Sequence, residues 1–352
     1  MSARDPVLAQ YDGHIALAER LPSPFYATLL RHMRADAEEY GPMRTALAGH
    51  EHDDVQQWDI YRLLAGVHQI VLSGGAPDLE AHYPSTGGDG DADAAWPAVR
   101  DLIAWGRAEI VEALSHPLQT NAPTRAKALV GPLCVVAKET GRPLRLLELG
   151  SSAGLNLRID RYRYELGEMT FGPPDSPVRF TDFVGNDPST PLPLDGGFEI
   201  AERAGCDLHP LDPTDDADRL TLLSCIFPDE RERFDLLERA IAVAHQTPAT
   251  VEEADIADWV AKRLAQPTPG LATVLMHTVV WPYLPEAVRG RAEASISAAG
   301  ERATDEAPLA LLSFEAGEDS SAPDTRLTVW PGGEERLMAR SSFHPTTIEW
   351  LG

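Results

Sequence analysis

Residues 144–157, LRLLELGSSAGLNL, set a short apolar run against a turn made of Gly150, Ser151, Ser152, Ala153 and Gly154. Such a run reads as a strand buried on both faces, the form strands take in parallel sheets. The glycines behind it allow a sharp turn into a helix, expected from about Leu155. Two chemistries use a strand–turn–helix of this kind. Gly150, Ser152 and Gly154 match the G-x-S-x-G nucleophile elbow of serine hydrolases. The acid Glu148 with Gly150 and Gly154 matches instead a glycine-rich turn that cradles a cofactor at a helix amino terminus.

Position along the chain separates the two. Residues 1–140 read as helical. Ile60, Leu63, Leu64, Val67 and Val71 form one stripe in VQQWDIYRLLAGVHQIVLSGG, stopped by Gly74–Gly75. PAVRDLIAWGRAEIVEALSH carries Leu102, Ile103, Ile110 and Leu114 at helical spacing behind Pro97. A third helix is expected over 124–140, bent at Pro132, and STGGDGDADA (85–94) reads as a polar loop. From 143 onward short apolar runs alternate with helices, the pattern of a parallel α/β sheet. Strands are expected at 144–150, at the end of AGCDLHPLD, near ATVEE and in LATVLMHTVV. Helices are expected over about 216–226, 229–246, from Asp255, and over 285–300. Residues 164–199 form an insertion with a strand or hairpin in PVRFTDFVG. The tail ends in a hairpin turned at Pro331–Gly333. The fold expected is α/β: a Rossmann-like, mostly parallel sheet with helices on both faces over 141–352, behind a helical lid or substrate domain over 1–140.

GSSAG therefore follows the first strand of the sheet, with helices alone before it and no oxyanion loop upstream. A hydrolase elbow crowns a later, central strand. A Ser152–Asp255–His277 or Ser152–Asp255–His344 order can be assembled, but the cofactor turn accounts for more positions. Glu148 beside the turn suits the ammonium of an amino-acid moiety. The acid for ribose hydroxyls follows at the end of the second strand, where Asp207 is the first choice and Asp212 the second.

Charge and composition narrow the partners. With 55 acidic against 30 basic residues the formal net charge is −25, which repels a nucleic-acid backbone. The sequence has no apolar run long enough for a membrane span and no apolar signal core at MSARDPVLAQYDGH. Cys134, Cys206 and Cys225 have neither metal-type spacing nor an even count for a disulfide framework. A cytoplasmic protein with a small-molecule substrate is expected. No H-E-x-x-H or C-x-x-C is present, and no metal is assigned.

The stretch LRLLELGSSAGLNLRIDRYRYELG resembles the signature of a bacterial family known as domain of unknown function 2332, itself similar to class I S-adenosylmethionine-dependent methyltransferases. PLQTN (117–121), AGCDLHPLD (204–212), EEADIADW (252–259), MHTVVWPYLP (276–285) and LTVWPGGEERLMA (327–339) extend the resemblance collinearly. It implies a methyltransferase-like enzyme using S-adenosylmethionine. Glu148, Gly150, Ser152, Gly154 and Asn156 would surround the methionine moiety, Asp207 would take the ribose, and Asp255 with Ile256 would bracket the adenine. His277, at the end of the fourth strand, would be a general base, with Trp281 and Tyr283 beside it as substrate walls and His344 as a further candidate. Gln119 and Asn121 would cap the helix near Thr124 or reach over the cofactor. Two departures bear on activity: Ser152 replaces the middle glycine of the usual turn, and Ala122–Pro123 stand where a glutamate follows QTN. The alternatives are a catalytically inactive nucleotide-binding or regulatory protein of the same fold, and a serine hydrolase using Ser152.

Overall fold

The computed structural model describes residues 5–21, 23–49, 58–106, 108–115, 118–185, 191–317 and 322–352. The first residues of the VQQWDIY stretch, Pro117 of PLQTN and 186–190 of the insertion lie outside them. In chain order the helices are α1 (Pro6–Arg20), α2 (Pro24–Glu38), α3 (Pro42–Ala46), α4 (Asp59–Leu72), α5 (Pro77–Glu80), α6 (Ala92–Ala104), α7 (Ala108–Ser115), α8 (Ala126–Thr140), α9 (Asp216–Ser224), α10 (Arg231–Gln246), α11 (Ile256–Arg263) and α12 (Glu286–Glu301). The strands are β1 (Leu144–Leu149), β2 (Arg163–Leu166), β3 (Met169–Phe171), β4 (Arg179–Thr181), β5 (Ile200–Asp207), β6 (Thr250–Glu253), β7 (Ala272–Thr278), β8 (Leu309–Ala316), β9 (Pro323–Trp330), β10 (Glu335–Ser341) and β11 (Ile348–Trp350). The excess of aspartate is partly a capping device. Asp5, Asp91, Asp215 and Asp255 each accept first-turn N–H groups of the helix that follows.

The chain divides into two compact units, Met1–Thr120 with Asp215–Glu238, and Asn121–Thr214 with Arg239–Gly352. The first is helical. The Ile60, Leu63, Leu64, Val67 and Val71 stripe of α4 is buried in its core, with Tyr11, Phe25, Tyr26, Leu29, Leu30 and Met33. The expected helix behind Pro97 is two helices. Asp91 caps α6 by accepting from Ala94 N–H at 3.0 Å, so the helix begins inside the anticipated loop and Pro97 lies in its interior. Gly106, at φ +59°, falls between α6 and α7.

In the second unit the large sheet runs β11-β10-β9-β8-β7-β1-β5-β6. From β6 to β8 the neighbours are parallel, and from β8 to β11 they are antiparallel. Counted along the chain, the parallel strands lie in the order 3-2-1-4-5, the Rossmann arrangement, with the reversal at β1 and β7. β1 and β7 are buried at every position, as strands with helices on both faces must be. On one face Leu147, Leu149, Leu275 and Leu309 pack with Ile256, Trp259 and Val260 of α11 and with Ala292 and Ile296 of α12. Helix α8 packs against β7 through β10, which places it in this unit rather than with the helices before it. The unit boundary accordingly falls at residue 120, not at the expected 140.

Three further details depart from expectation. The segment after the glycine turn, Leu155–Arg161, is a pair of short 3-10 turns kinked at Arg158, not a full α-helix. The insertion is a three-stranded sheet, β3-β2-β4, whose first strand already begins at Arg163. Its core is aromatic, with Tyr162 edge-on to Phe180 and Tyr164 stacked on Phe171. The hairpin of β9 and β10 turns at Pro331–Gly333 as expected, and β11 adds a strand beyond it.

Gly205 fixes the join between β1 and β5. It stands opposite Glu148, and a Cβ there would lie 1.9 Å from Ser151 Oγ, 2.9 Å from Ser151 Cβ and 3.0 Å from the Glu148 carbonyl. Gly205→Ala should therefore cost about 2 kcal/mol or more of stability by overpacking, read as a lower urea midpoint at unchanged slope. A neutral outcome would contradict the close approach of Ser151 to β5.

Candidate functional site at the carboxyl end of the central strands

In open α/β sheets ligands gather outside the carboxyl ends of the strands, where the strand order reverses. Here that place is the turn after β1, flanked by the ends of β5 and β7. Gly150 (φ +64°), Ser152 (φ +52°) and Gly154 (φ +64°) all adopt the left-handed conformation, which Ser152 holds without the freedom of a glycine. The Asp207 carboxylate supports it, accepting the Ser152 N–H at 2.8 Å on one oxygen and the His209 N–H at 2.9 Å on the other.

Most N–H groups of the turn are already used by the protein. Gly150 N–H meets the Cys206 thiol, Ser151 N–H donates to the Cys206 carbonyl at 3.0 Å, and Gly154 N–H donates to the Ser151 carbonyl at 2.7 Å. Leu155 N–H, first in the 3-10 helix, donates to Asn121 Oδ1 at 2.8 Å. Asn121 thus caps the segment after the turn, not the helix near Thr124. The expected donor-rich helix terminus is absent for this reason: the segment is short and its leading N–H is spent.

The glycines serve packing rather than ligand approach. A Cβ on Gly150 would lie 2.5 Å from Val280 Cγ2, and one on Gly154 would lie 3.0 to 3.1 Å from Val251, Arg158 and Leu157. Ser152 is 5% exposed, and its Oγ has no hydrogen-bond partner. No histidine bonds it, so the nucleophile–base contact of a hydrolase is not formed.

Unused capacity at the turn lies in acceptors. Glu148 and Asn156 are buried, joined by a long Asn156 Nδ2 to Glu148 Oε1 contact of 3.5 Å. Glu148 Oε2 and Asn156 Oδ1 have no partner. Buried oxygens in that state mark a place for a polar group the chain does not supply. Burial pushes the Glu148 carboxyl up to about 8, with partial relief from the Asn156 bond and the nearby charges of Arg125 and Arg158. Arg125 is itself fixed by the carbonyl and hydroxyl of Thr278 at 3.0 and 3.2 Å.

A second cluster sits at the end of β7. His277 pairs with Leu149 across the strands, and strand alternation puts it on the α12 face, opposite Glu148. Its Nδ1 is 2.7 Å from Glu315 Oε1, and its ring stacks on Trp281 at 4.3 Å and 20°. Trp281 Nε1 donates to Glu293 at 3.1 Å.

The remaining expected residues fall elsewhere. Asp255 caps α11 and pairs with Arg291 at 2.8 Å, while Ile256 is in the hydrophobic core. Neither is an open wall for an adenine ring. Asp212 accepts from the backbone and hydroxyl of Thr214. Tyr283 is exposed, and His344 lies in the loop between β10 and β11. Gln119 belongs to the helical unit, where its backbone bonds the Cys225 thiol. Asp160, Arg161 and Tyr162 form a polar support under the turn: Asp160 takes Arg203 at 2.7 and 3.0 Å, and Tyr162 donates to the Leu155 carbonyl at 2.7 Å. Sequence reasoning missed Glu315 and Arg125. The signal for Glu315 was its spacing on β8, two residues beyond Ser313, the partner of His277.

Residues 13–350 match the family model described as an uncharacterized protein conserved in bacteria (DUF2332), and the chain belongs to that family. Comparison with curated proteins and with solved structures gives no match. Among the described residues no helix is long and apolar enough to cross a membrane, and no cluster of His, Cys, Asp or Glu has the geometry to hold a metal ion.

The buried carboxyl has a pH signature. Unfolded, Glu148 ionises near 4.5; folded, it keeps its proton to about 8. Over that interval the folded state binds more protons, so the Glu148 contribution to stability is lost as pH rises from about 4.5 through 8. Glu148→Gln stays neutral throughout, so its stability relative to wild type should improve by on the order of 3 kcal/mol between about pH 4.5 and 8.5. Urea unfolding at the two pH values measures this, and a pH-independent difference would contradict it.

Proposed function

We propose that the carboxyl end of β1 binds a cationic adenosyl cofactor of the S-adenosylmethionine type, and that the protein is a methyltransferase-like enzyme acting on a small-molecule acceptor. The observation that carries this is the polarity of the turn. Four of its N–H groups, and that of Leu155 behind it, are committed to the protein's own acceptors, while Glu148 Oε2 and Asn156 Oδ1 have no partner. That is the opposite of a phosphate cradle, which offers free N–H groups. It suits an ammonium and disfavours a dinucleotide pyrophosphate.

The residues fit the amino-acid end of the cofactor. Glu148 and Asn156 would hold the ammonium, the carboxyl of Glu148 giving up its proton to form the ion pair. Asp207 closes the end of β5, and with one N–H on each carboxylate oxygen it keeps acceptor capacity for ribose hydroxyls. When bound, the cofactor supplies an electrophilic methyl group. His277, on the neighbouring strand β7 with its side chain on the opposite face from Glu148, would accept the proton of the attacking group. Positioning of the two partners supplies the remaining rate enhancement.

One observation favours a second reading, a protein of this fold that binds ligand without turnover. Val280 and Val251 crowd the space beside Gly150 and Gly154, and the Ser152 side chain adds to them.

Titration calorimetry with S-adenosylmethionine and with S-adenosylhomocysteine tests the proposal. Both should bind, and Glu148→Ala or Asp207→Ala should weaken binding about tenfold or more, the value of one hydrogen bond to a charged group. Absence of heat with either ligand, from protein folded by circular dichroism, would overturn it. Binding without methyl transfer to any acceptor would favour the second reading.

A further inference from the structure

We propose that Glu315 is a positioning residue that, together with Trp281, holds His277 as the Nδ1–H tautomer and leaves Nε2 as the proton-accepting atom. This deepens the proposed function, on which it rests, because it names the acceptor class: a group that carries its proton into the site, an alcohol O–H or a protonated or neutral N–H.

Three nitrogens converge on one oxygen. Glu315 Oε1 receives the Val280 N–H at 3.1 Å and the Trp281 N–H at 3.3 Å. Backbone amides only donate, so Oε1 accepts twice already, and as a carboxylate it has no hydrogen of its own to give. His277 Nδ1, 2.7 Å from the same oxygen, must then carry the hydrogen. The neutral ring keeps its lone pair on Nε2, to which no hydrogen bond is made among the described residues. Of the three buried histidines among the described residues, His68 is bonded at both ring nitrogens, through Ser85 and the Ser224 carbonyl, and His14 at one, to the Gln10 carbonyl. His277 differs from both in that its bonded nitrogen faces a carboxyl group.

The ring is also held in place. Trp281 lies flat against it and is pinned at its far end by Glu293. The backbone leading to Trp281 passes through Val279 at φ +56°, a conformation costly for a β-branched residue. Strain of this kind persists only where surrounding contacts enforce it, and it gathers at functional sites. Here the contacts are the two N–H bonds to Glu315, the Val279 N–H to Phe314 carbonyl bond at 2.9 Å, and the packing of Val280 on Gly150.

S-adenosylmethionine, where bound, would supply the methyl group, and His277 Nε2 would take the proton that the attacking oxygen or nitrogen loses. The O–H or N–H bond breaks with its electrons kept by the attacking atom. The imidazolium so formed then donates to Glu315 from Nδ1, as the ring–carboxylate pair of hydrolytic triads does.

Nitrogen-15 histidine NMR of the full chain tests this without any turnover, the His277 signals being identified by their loss in His277→Gln. The wild type should show a protonated Nδ1 and an unprotonated Nε2. Glu315→Gln retains an acceptor oxygen and should keep that tautomer. Glu315→Leu removes it and should yield the mixed tautomers of an unconstrained ring. An Nε2–H tautomer in the wild type would overturn the proposal, and so would an unchanged tautomer in a folded Glu315→Leu protein. Should Glu315→Leu not fold, the wild-type and Glu315→Gln spectra decide. Cofactor binding is read separately by calorimetry, so failure of the tautomer and failure of the cofactor proposal are distinguishable.

Discussion

A carboxyl group buried on the central strand of a parallel sheet governs what the rest of this unit can do. Glu148 has strands on both sides, and one of its oxygens lacks a donor. Such a group costs several kcal/mol to ionise unless a cation or donors reach it. The turn above it is closed by its own hydrogen bonds to Cys206, Asp207, Ser151 and Asn121. The strand ends therefore present acceptors in place of the donors expected of a glycine-rich turn. Chemistry that brings a positive charge relieves the burial of Glu148; chemistry that brings phosphate does not.

The same strand ends carry a second set of groups on the other face. Glu148, Asn156 and Arg125 lie on one side of the sheet, and His277, Glu315 and Trp281 on the other. What joins them is the contact of Val280 with Gly150, which ties the turn after β1 to the loop after β7. The glycine is required there by a neighbouring side chain, and the loop it supports holds the strained Val279. In the proposed function the two faces divide the labour, one binding the cofactor's charged end and the other moving a proton.

Much of the fold was legible because its signals are local. The leucine-rich run of β1, the apolar centre of β7 and the amphipathic stripe of α4 each depend on a few adjacent residues. The placement of Asp207 at the end of the second strand followed from the strand order alone. What was not legible depends on partners far along the chain. The expected helix at Leu155 is a 3-10 segment led by an N–H that Asn121 takes, 34 residues earlier. The expected room beside Gly150 is filled by Val280, and the partner of His277 is 38 residues further on. Asp255 and Ile256 match an adenine-bracketing pair in sequence, yet a helix start and a hydrophobic core explain the same two residues in the fold.

The central claim, that the buried acceptors at Glu148 and Asn156 await a cationic ligand group, is tested most directly by a crystal structure with S-adenosylhomocysteine, at a resolution that shows ordered water. The ligand's amino nitrogen should lie within hydrogen-bond distance of Glu148 Oε2 and Asn156 Oδ1, with a ribose hydroxyl on Asp207. Ordered water satisfying both oxygens, with no ligand at the ends of β1 and β5, would contradict it.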